Sequence, residues 1–369
     1  MSSLIERLKK SNTIENADVL KNSKFFIDSY NTTEIPILDI AMSAKLDGGY
    51  SHGSTLIGGD SATFKTMFMI QLAKAHLNNF EDKDCVFVFY DIEHATHQGI
   101  FENAGLDTSK IFHKPFTTIE QLTTDMVRML DDLTEDDNIC IGIDSLGAAK
   151  SQKSVDSALS GDEKRDMTAQ QAMGNFWGNV NPRINTLKIP MFAIAQVYAD
   201  IMNPYGPKIF RGGSSMYYYP NSRWLITKRK ETDSKKEKVG STFTVNIEKS
   251  RRVIEGSKFP VTVTFEDGID KYSGIFDLGL DLGFISRPTT QTASLDFIQP
   301  EPITGRRKLI ETPENMQKLI DNPDFKSAVH KKFSLGILDR SDSEEDDNET
   351  LPEEQEATKT SKAKSKKSS

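Results

Sequence analysis

The residues with the clearest chemical potential lie in the run Gly58-Gly59-Asp60-Ser61-Ala62-Thr63-Phe64-Lys65-Thr66. The β-branched and apolar stretch Thr55–Ile57 precedes it, and a helical pattern from Met67 to Asn78 follows. A sharp turn between a strand and a helix aims several backbone N–H groups and the helix N-terminus at one point, which suits a phosphate chain. Lys65 would neutralise β- and γ-phosphates, and the Thr66 hydroxyl would ligate Mg2+. Gly59, Asp60, Ser61, Ala62, Thr63, Phe64, Lys65 and Thr66 are therefore candidate nucleotide-binding residues. The usual pattern, GxxxxGK[ST], has a glycine where this chain has Phe64. A phenylalanine there is expected to have a helical, negative φ. Taken alone, the run also reads as a plain strand–turn–helix with a surface lysine.

Two further segments change that balance. Phe87-Val-Phe-Tyr-Asp91-Ile-Glu93 and Ile139-Cys-Ile-Gly-Ile-Asp144 each place a carboxylate at the end of an apolar strand. In open parallel sheets, ligands sit beyond the carboxyl ends of the strands. Asp144 is the candidate to complete the Mg2+ shell with Thr66. Glu93 is the candidate to orient or deprotonate an attacking water. A single such acid could be a helix cap; two of them after a phosphate loop, in this order, point to a nucleoside triphosphatase.

The elements that must hold these groups follow from periodicity. Strand-like runs occur at Thr55–Ile57, Val86–Tyr90, Ile139–Ile143, Met191–Ala195, Trp224–Thr227, Phe243–Ile247 and Val261–Phe265. The early runs are continuously apolar and separated by helical stretches, the pattern of parallel strands buried on both faces in an α/β core. The later runs, from Trp224 on, follow one another without helices and read as antiparallel additions. Thr117-Thr-Ile-Glu120 resembles a capping box opening a helix with Leu122, Met126 and Leu130 on one face. A second helix places Met173, Phe176, Val180, Ile184 and Leu187 together, with a kink expected at Pro182. Met316, Ile320, Phe325, Val329 and Phe333 predict a small helical lobe near the C-terminus. An amphipathic helix with Leu4, Ile5 and Leu8, joined by a polar connection to Phe25-Phe26, is too small to fold alone and is expected to pack on another subunit.

Composition excludes several classes. Charged residues make up 27% of the 369 residues, and no apolar run approaches the roughly 20 residues of a membrane helix. The start MSSLIERLKK lacks the apolar stretch of a secretory signal. Cys85 and Cys140 lie inside apolar runs and read as buried thiols. The net charge of −8 is unevenly spread: residues 341–356 hold nine acids and no base, and residues 357–369 hold five lysines and no acid. Both stretches lack aromatics and are expected to stay disordered. Nucleic acid would therefore be met by local basic loops, not by bulk charge.

The ordered set of phosphate loop, FYDIEHA, IGIDSLG, FAIAQ, RGGSS and EKSR resembles the RecA-type recombinases. Within them the match is closest to the UvsX recombinases of tailed phages, through LIERLKKS, SKFF, SKFPV and YSGIFDLGLDLGFI. The similarity covers about residues 2–285 and loosely extends to 337; the Phe-Lys-Thr end of the phosphate loop is itself UvsX-like. The resemblance implies a RecA-like ATPase core with a mostly parallel central sheet. The implied organisation is an N-terminal oligomerisation segment (1–30), the core (31–285), a small C-terminal lobe (286–337) and an acidic then basic tail (338–369). It implies an ATP- and Mg2+-dependent, DNA-dependent ATPase that forms filaments on single-stranded DNA and exchanges strands with homologous duplex DNA. Recombination, repair and recombination-dependent replication in the cytoplasm of an infected bacterium would be its setting. A mediator, a single-strand-binding protein and a replicative helicase would be its partners.

Carried over by residue, Lys65, Thr66, Glu93 and Asp144 keep the roles given above. Gln196 resembles the glutamine that senses the γ-phosphate. Lys249 and Arg251 resemble two bases that reach ATP across a subunit interface. Where relatives often stack a tyrosine on adenine, this chain has Ile100 beside Phe101. Two segments fall at the family's DNA loops: Gly147–Arg165, with Lys164 and Arg165, and Val197–Ser215, with Tyr198, Tyr205, Lys208, Phe210, Arg211, Gly212 and Gly213. Cations meet phosphates there and aromatic rings stack on bases. Lys228–Lys230 reads as solvated surface. A ring helicase of the same fold and a non-enzymatic single-strand-binding protein are the competing readings.

Overall fold

A computed structural model describes residues 4–14, 17–22, 30–81, 83–160, 168–200, 203, 206–232, 238–266 and 268–335. Phe25, Phe26, Lys164, Arg165, Tyr205 and the charged tail lie outside the described residues. The central sheet contains β1 (Gly53–Gly59), β2 (Cys85–Asp91), β3 (Ile111–Pro115), β4 (Asn138–Asp144) and β5 (Pro190–Tyr198). A two-residue strand, β6 (Ile209–Phe210), folds back antiparallel on the end of β5. Then come β7 (Ser222–Thr232), β8 (Lys238–Lys249), β9 (Lys258–Thr264) and β10 (Gly268–Ile269). The order across the sheet is β3-β2-β4-β5-β1-β7-β8-β9-β10.

Pairing is parallel from β3 through β7 and antiparallel from β7 to β10. The Trp224 run pairs antiparallel with the Phe243 run, as expected, but its other side lies parallel to β1, with Gly59 opposite Ile226. The crossover needed to make β7 parallel is the long segment after β5, whose helix is short enough to escape periodicity. β3 was not foreseen because it sits at the sheet edge, where Phe112 is 56% exposed and no apolar run is required.

Burial on both faces explains the apolar strands. On β2, Cys85, Phe87 and Phe89 enter one core while Val88 and Tyr90 enter the other. The first face is covered by α2 (Pro36–Ser43) and α3 (Lys65–Asn79), the second by α5 (Ile119–Asp131) and α7 (Thr168–Thr186). Leu122, Met126 and Leu130 of α5, and Met173, Phe176, Val180 and Ile184 of α7, are buried as their spacing predicts. α5 is capped one residue later than expected: Thr118 accepts from Gln121 N, while Gln121 Oε1 accepts from Thr117 N. α7 runs through Pro182 to Thr186, as the spacing predicts. Cys85 and Cys140 are buried free thiols.

The remaining helices are α1 (Leu4–Lys10), α4 (Gln98–Asn103), α6 (Gln152–Ser160), α8 (Ser215–Tyr218) and α9 (Ile275–Asp281). After them come α10 (Arg307–Ile310), α11 (Pro313–Asp321) and α12 (Pro323–Phe333). The last three flank a small antiparallel sheet of β11 (Ile285–Ser286), β12 (Ala293–Leu295) and β13 (Ile303–Gly305). This lobe shares the first core, to which it contributes Leu295, Met316, Leu319, Phe325 and Val329. α1 buries none of its residues; Leu4, Ile5 and Leu8 are 62%, 50% and 60% exposed. Among the described residues, no helix is long and apolar enough to cross a membrane.

Gly142, in the middle of β4, would direct a Cβ to 2.7 Å from Phe87 Cζ and 2.8 Å from Met69 Sδ. Gly142→Ala should therefore destabilise the chain by about 1–3 kcal/mol through overpacking. Gly174, inside α7, has nothing within 4 Å of its virtual Cβ, and Gly174→Ala should stabilise by roughly 0.4–1 kcal/mol. Denaturant midpoints of the two variants should move in opposite directions from wild type.

Candidate nucleotide site and its link to a loop

Because β1, β2, β4 and β5 are parallel neighbours, their C-terminal ends meet at one edge of the sheet. Register puts Asp91 opposite Asp144 and Gly59 opposite Gln196. The chemistry-bearing residues collect there. Thr66 Oγ1, in the first turn of α3, donates to Asp144 Oδ2 at 2.7 Å. Ser145 Oγ donates to Glu93 Oε1 at 2.8 Å, and Gln196 Nε2 reaches the same oxygen at 3.4 Å. On its other side Gln196 Oε1 accepts from Arg211 Nη1 at 3.2 Å. A continuous polar path therefore runs from the exposed carboxylate Glu93 to the loop after β5. Ser145 was missed in the sequence because a serine after a strand carries no distinctive spacing.

The phosphate loop follows β1. Lys65 Nζ donates to Gly59 O at 3.0 Å and to Asp60 O at 2.7 Å, so its ammonium lies over the turn. Desolvation by burial lowers the Lys65 pKa, opposed by the charges of Asp144, Glu93 and Asp60. Asp144 is pushed up to about 6, chiefly by burial; the nearby acids Glu93 and Asp91 add to this, and the Thr66 hydrogen bond and Lys65 oppose it. A buried carboxylate with two acidic neighbours and a hydroxyl at 2.7 Å is a hard-oxygen donor set of the kind Mg2+ uses with phosphate and water oxygens. Among the described residues there is no cluster of three or more His, Cys, Asp or Glu side chains able to hold a metal by themselves.

Phe64 contradicts the expected backbone. Its φ is 67° and ψ 17°, the left-handed region where relatives of the motif place glycine. For a bulky residue this costs on the order of 1–3 kcal/mol. The ring is stacked on Phe243 of β8 at 4.8 Å and 18°, and meets Phe68 edge-on at 5.8 Å. That aromatic packing, together with burial of the ring against the core, offsets the backbone strain. Lys228, read as solvated surface, also belongs here: its Nζ donates to Ala62 O at 3.0 Å. A lysine 166 residues further along the chain, on the strand next to β1, gives no spacing signal.

The candidate DNA residues divide. Tyr198 is half-exposed at the end of β5, and Arg211 is exposed. Lys208 Nζ pairs with Asp60 Oδ1 at 3.2 Å, so the loop after β5 touches the phosphate loop. Gly212 and Gly213 both have positive φ, 119° and 87°. Phe210 is a correction: it is fully buried, with its ring against Gly58, whose Cβ would fall 2.2 Å from Phe210 Cε1, and edge-on to Tyr217 at 5.7 Å. Its part is to anchor β6 over β1, not to present a ring to a base. The segment after β4, which the resemblance places at a DNA loop, contains α6. A cavity of about 990 Å³ lies between these loops, lined by Lys150, Gln196, Tyr198, Arg211 and Gly213 among others.

Lys249 and Arg251 are not brought to the chain's own phosphate loop. Lys249 pairs with Arg223, which pairs with Leu56, three residues before Gly59. That places it roughly 10 Å down the strand. Its ammonium donates to Tyr218 O at 2.7 Å, and its pKa is lowered by partial burial, then by Arg223 and Arg251. Arg251 is exposed. Ile100 is half-buried against the core and has no ring to stack on a base, and the Phe101 ring is buried against Phe89 at 5.3 Å.

Residues 3–270 match the RecA N-terminal domain family. A recombination and repair protein of Enterobacteria phage T4 is 32% identical over 349 residues, which cover 92% of this chain and 88% of that relative. The chain belongs to the RecA family; it is a recombinase with a RecA-like nucleotide-binding core and DNA-dependent ATPase activity. The non-enzymatic reading falls with this result.

The raised Asp144 pKa has a consequence for stability. The folded chain holds this proton up to about pH 6, whereas an unfolded aspartate loses it near 3.8. The native state therefore binds more protons across that window, and stability falls as pH rises through it. Asp144→Asn should stabilise the nucleotide-free protein at pH 7.5, by at most about 3 kcal/mol, with the gain vanishing toward pH 4. Thermal melting at both pH values checks this, and the same variant should lose Mg2+-dependent turnover.

Proposed function

We propose that this recombinase binds ATP·Mg2+ at the phosphate loop, assembles into a filament on single-stranded DNA, and uses turnover to control exchange with homologous duplex DNA. The observation that carries this reading is the Thr66–Asp144 contact at 2.7 Å, with Glu93 tied through Gln196 to Arg211 of the loop after β5. Backbone N–H groups from Asp60 to Thr66 cradle the phosphates, and Lys65 leaves the Gly59 and Asp60 carbonyls for phosphate oxygens. Thr66 and Asp144 would hold Mg2+, which supplies charge neutralisation at the β- and γ-phosphates. Glu93 orients the attacking water and accepts its proton. Gln196 is positioned to register γ-phosphate on one side and the Arg211 loop on the other.

Lys249 and Arg251 act in trans in this reading, which their distance along the strand from their own phosphate loop supports. The exposed apolar residues of α1 dock on the neighbouring subunit. Tyr198, Lys208, Arg211, Gly212 and Gly213 contact DNA, joined by Lys164, Arg165 and Tyr205. Residues 1–30, 31–285, 286–337 and 338–369 form the oligomerisation segment, core, small lobe and tail. A mediator, a single-strand-binding protein and a replicative helicase are the expected partners, in the cytoplasm of an infected bacterium.

Glu93→Gln should bind ATP and assemble on single-stranded DNA while turnover falls by roughly 10²-fold or more; near-normal phosphate release removes Glu93 from the mechanism. Action in trans is tested by mixing Lys65→Ala subunits with Lys249→Ala/Arg251→Ala subunits. Some junctions then combine an intact loop with intact bases, and turnover should partly recover. No recovery in proven co-assemblies contradicts the arrangement.

A further inference from the structure

The phosphate loop of this chain has two non-glycine residues in left-handed conformation, Ala62 at φ 58° and Phe64 at φ 67°. Both flank the peptide units whose N–H groups would face a phosphate. Phe64 is held by its stack on Phe243. Lys228 faces Phe243 across the β7–β8 ladder, directly in register. Its ammonium lies 5.4 Å from the Phe243 ring centroid and donates to Ala62 O at 3.0 Å. One lysine thus spans both devices: it sits over the ring that holds Phe64 and grips the carbonyl of Ala62.

The geometry points to Lys228 as a positioning residue for nucleotide binding, one that holds the Ala62–Thr63 peptide in the orientation the cradle needs. In a trans peptide unit the C=O and N–H point in opposite directions. Fixing Ala62 O toward Lys228 therefore turns the Thr63 N–H the other way. Thr63 Oγ1 secures the same turn from inside by donating to Asp60 O at 2.8 Å. A loop with glycine at position 64 would adopt the left-handed geometry without help. With phenylalanine there, the loop relies on a strap from the neighbouring strand, and Lys228 with Phe243 is that strap. Lys228 acts through the loop backbone and touches no reacting atom.

This rests on the phosphate loop being the ATP site, and the test separates the two. Equilibrium binding of a fluorescent ATP analogue with Mg2+, without DNA, is measured on the full chain. Lys228→Met should weaken binding about fivefold, the scale of one lost hydrogen bond. Lys228→Arg, which keeps a donor, should stay within about twofold of wild type. In an Ala62→Gly/Phe64→Gly background, where both left-handed positions are glycine, the Lys228→Met change should shrink to less than about twofold, because neither glycine needs a strap. Melting curves of each variant confirm that the folded protein is being compared. An equal loss in both backgrounds overturns the inference, since it marks a long-range charge effect on the nucleotide. Full affinity in Lys228→Met overturns it as well. Failure of wild type itself to bind the analogue overturns the nucleotide-site reading beneath it.

Discussion

The hydrogen bond from Thr66 Oγ1 to Asp144 Oδ2 ties the start of α3 to the end of β4, and most of the site's geometry follows from it. It forms because two parallel strands, β1 and β4, end at the same edge with only β5 between them. Asp144 is 5% exposed, so the carboxylate has given up water and has few partners in return. That imbalance pushes its pKa up to about 6. A divalent cation would relieve it, so burying this carboxylate beside two other acids favours cation binding and lowers the stability of the fold.

The second constraint is the reach of one glutamine. Gln196 lies two residues before the end of β5, the strand that separates β1 from β4, and its side chain stands between Glu93 and Arg211. The loop carrying Arg211 is itself pinned to β1 by the buried Phe210 ring on Gly58 and by the Lys208–Asp60 ion pair. The ion pair is solvent-exposed and contributes at most about 1 kcal/mol; the buried ring is the firmer attachment. These contacts form a continuous physical route from this loop to the edge of the sheet where the acids lie.

Much of this was legible in the chain because it depends on strands buried on both faces. The apolar runs gave β1, β2, β4 and β5, and the acids that terminate two of them gave Glu93 and Asp144. Lys65 and Thr66 followed from the turn before α3. What periodicity could not convey was set by long-range contacts. Lys228 reaches the loop from a strand 166 residues later in sequence, Phe64 is stabilised in a left-handed conformation by Phe243, and β3 lies at a half-exposed edge. Phe210 misled because an aromatic residue in a basic loop looks the same whether it faces solvent or the core. Gln196, Lys249 and Arg251 are singled out by the family resemblance alone, since no local spacing points to them.

The central claim is that the Glu93–Gln196–Arg211 path couples loop and nucleotide. The most direct measurement is phosphate release with and without single-stranded DNA for Gln196→Asn, whose side chain is one methylene too short to span both partners. The account predicts that the ratio of DNA-stimulated to DNA-free turnover collapses toward one while the protein still binds single-stranded DNA. A wild-type ratio in that variant would contradict it.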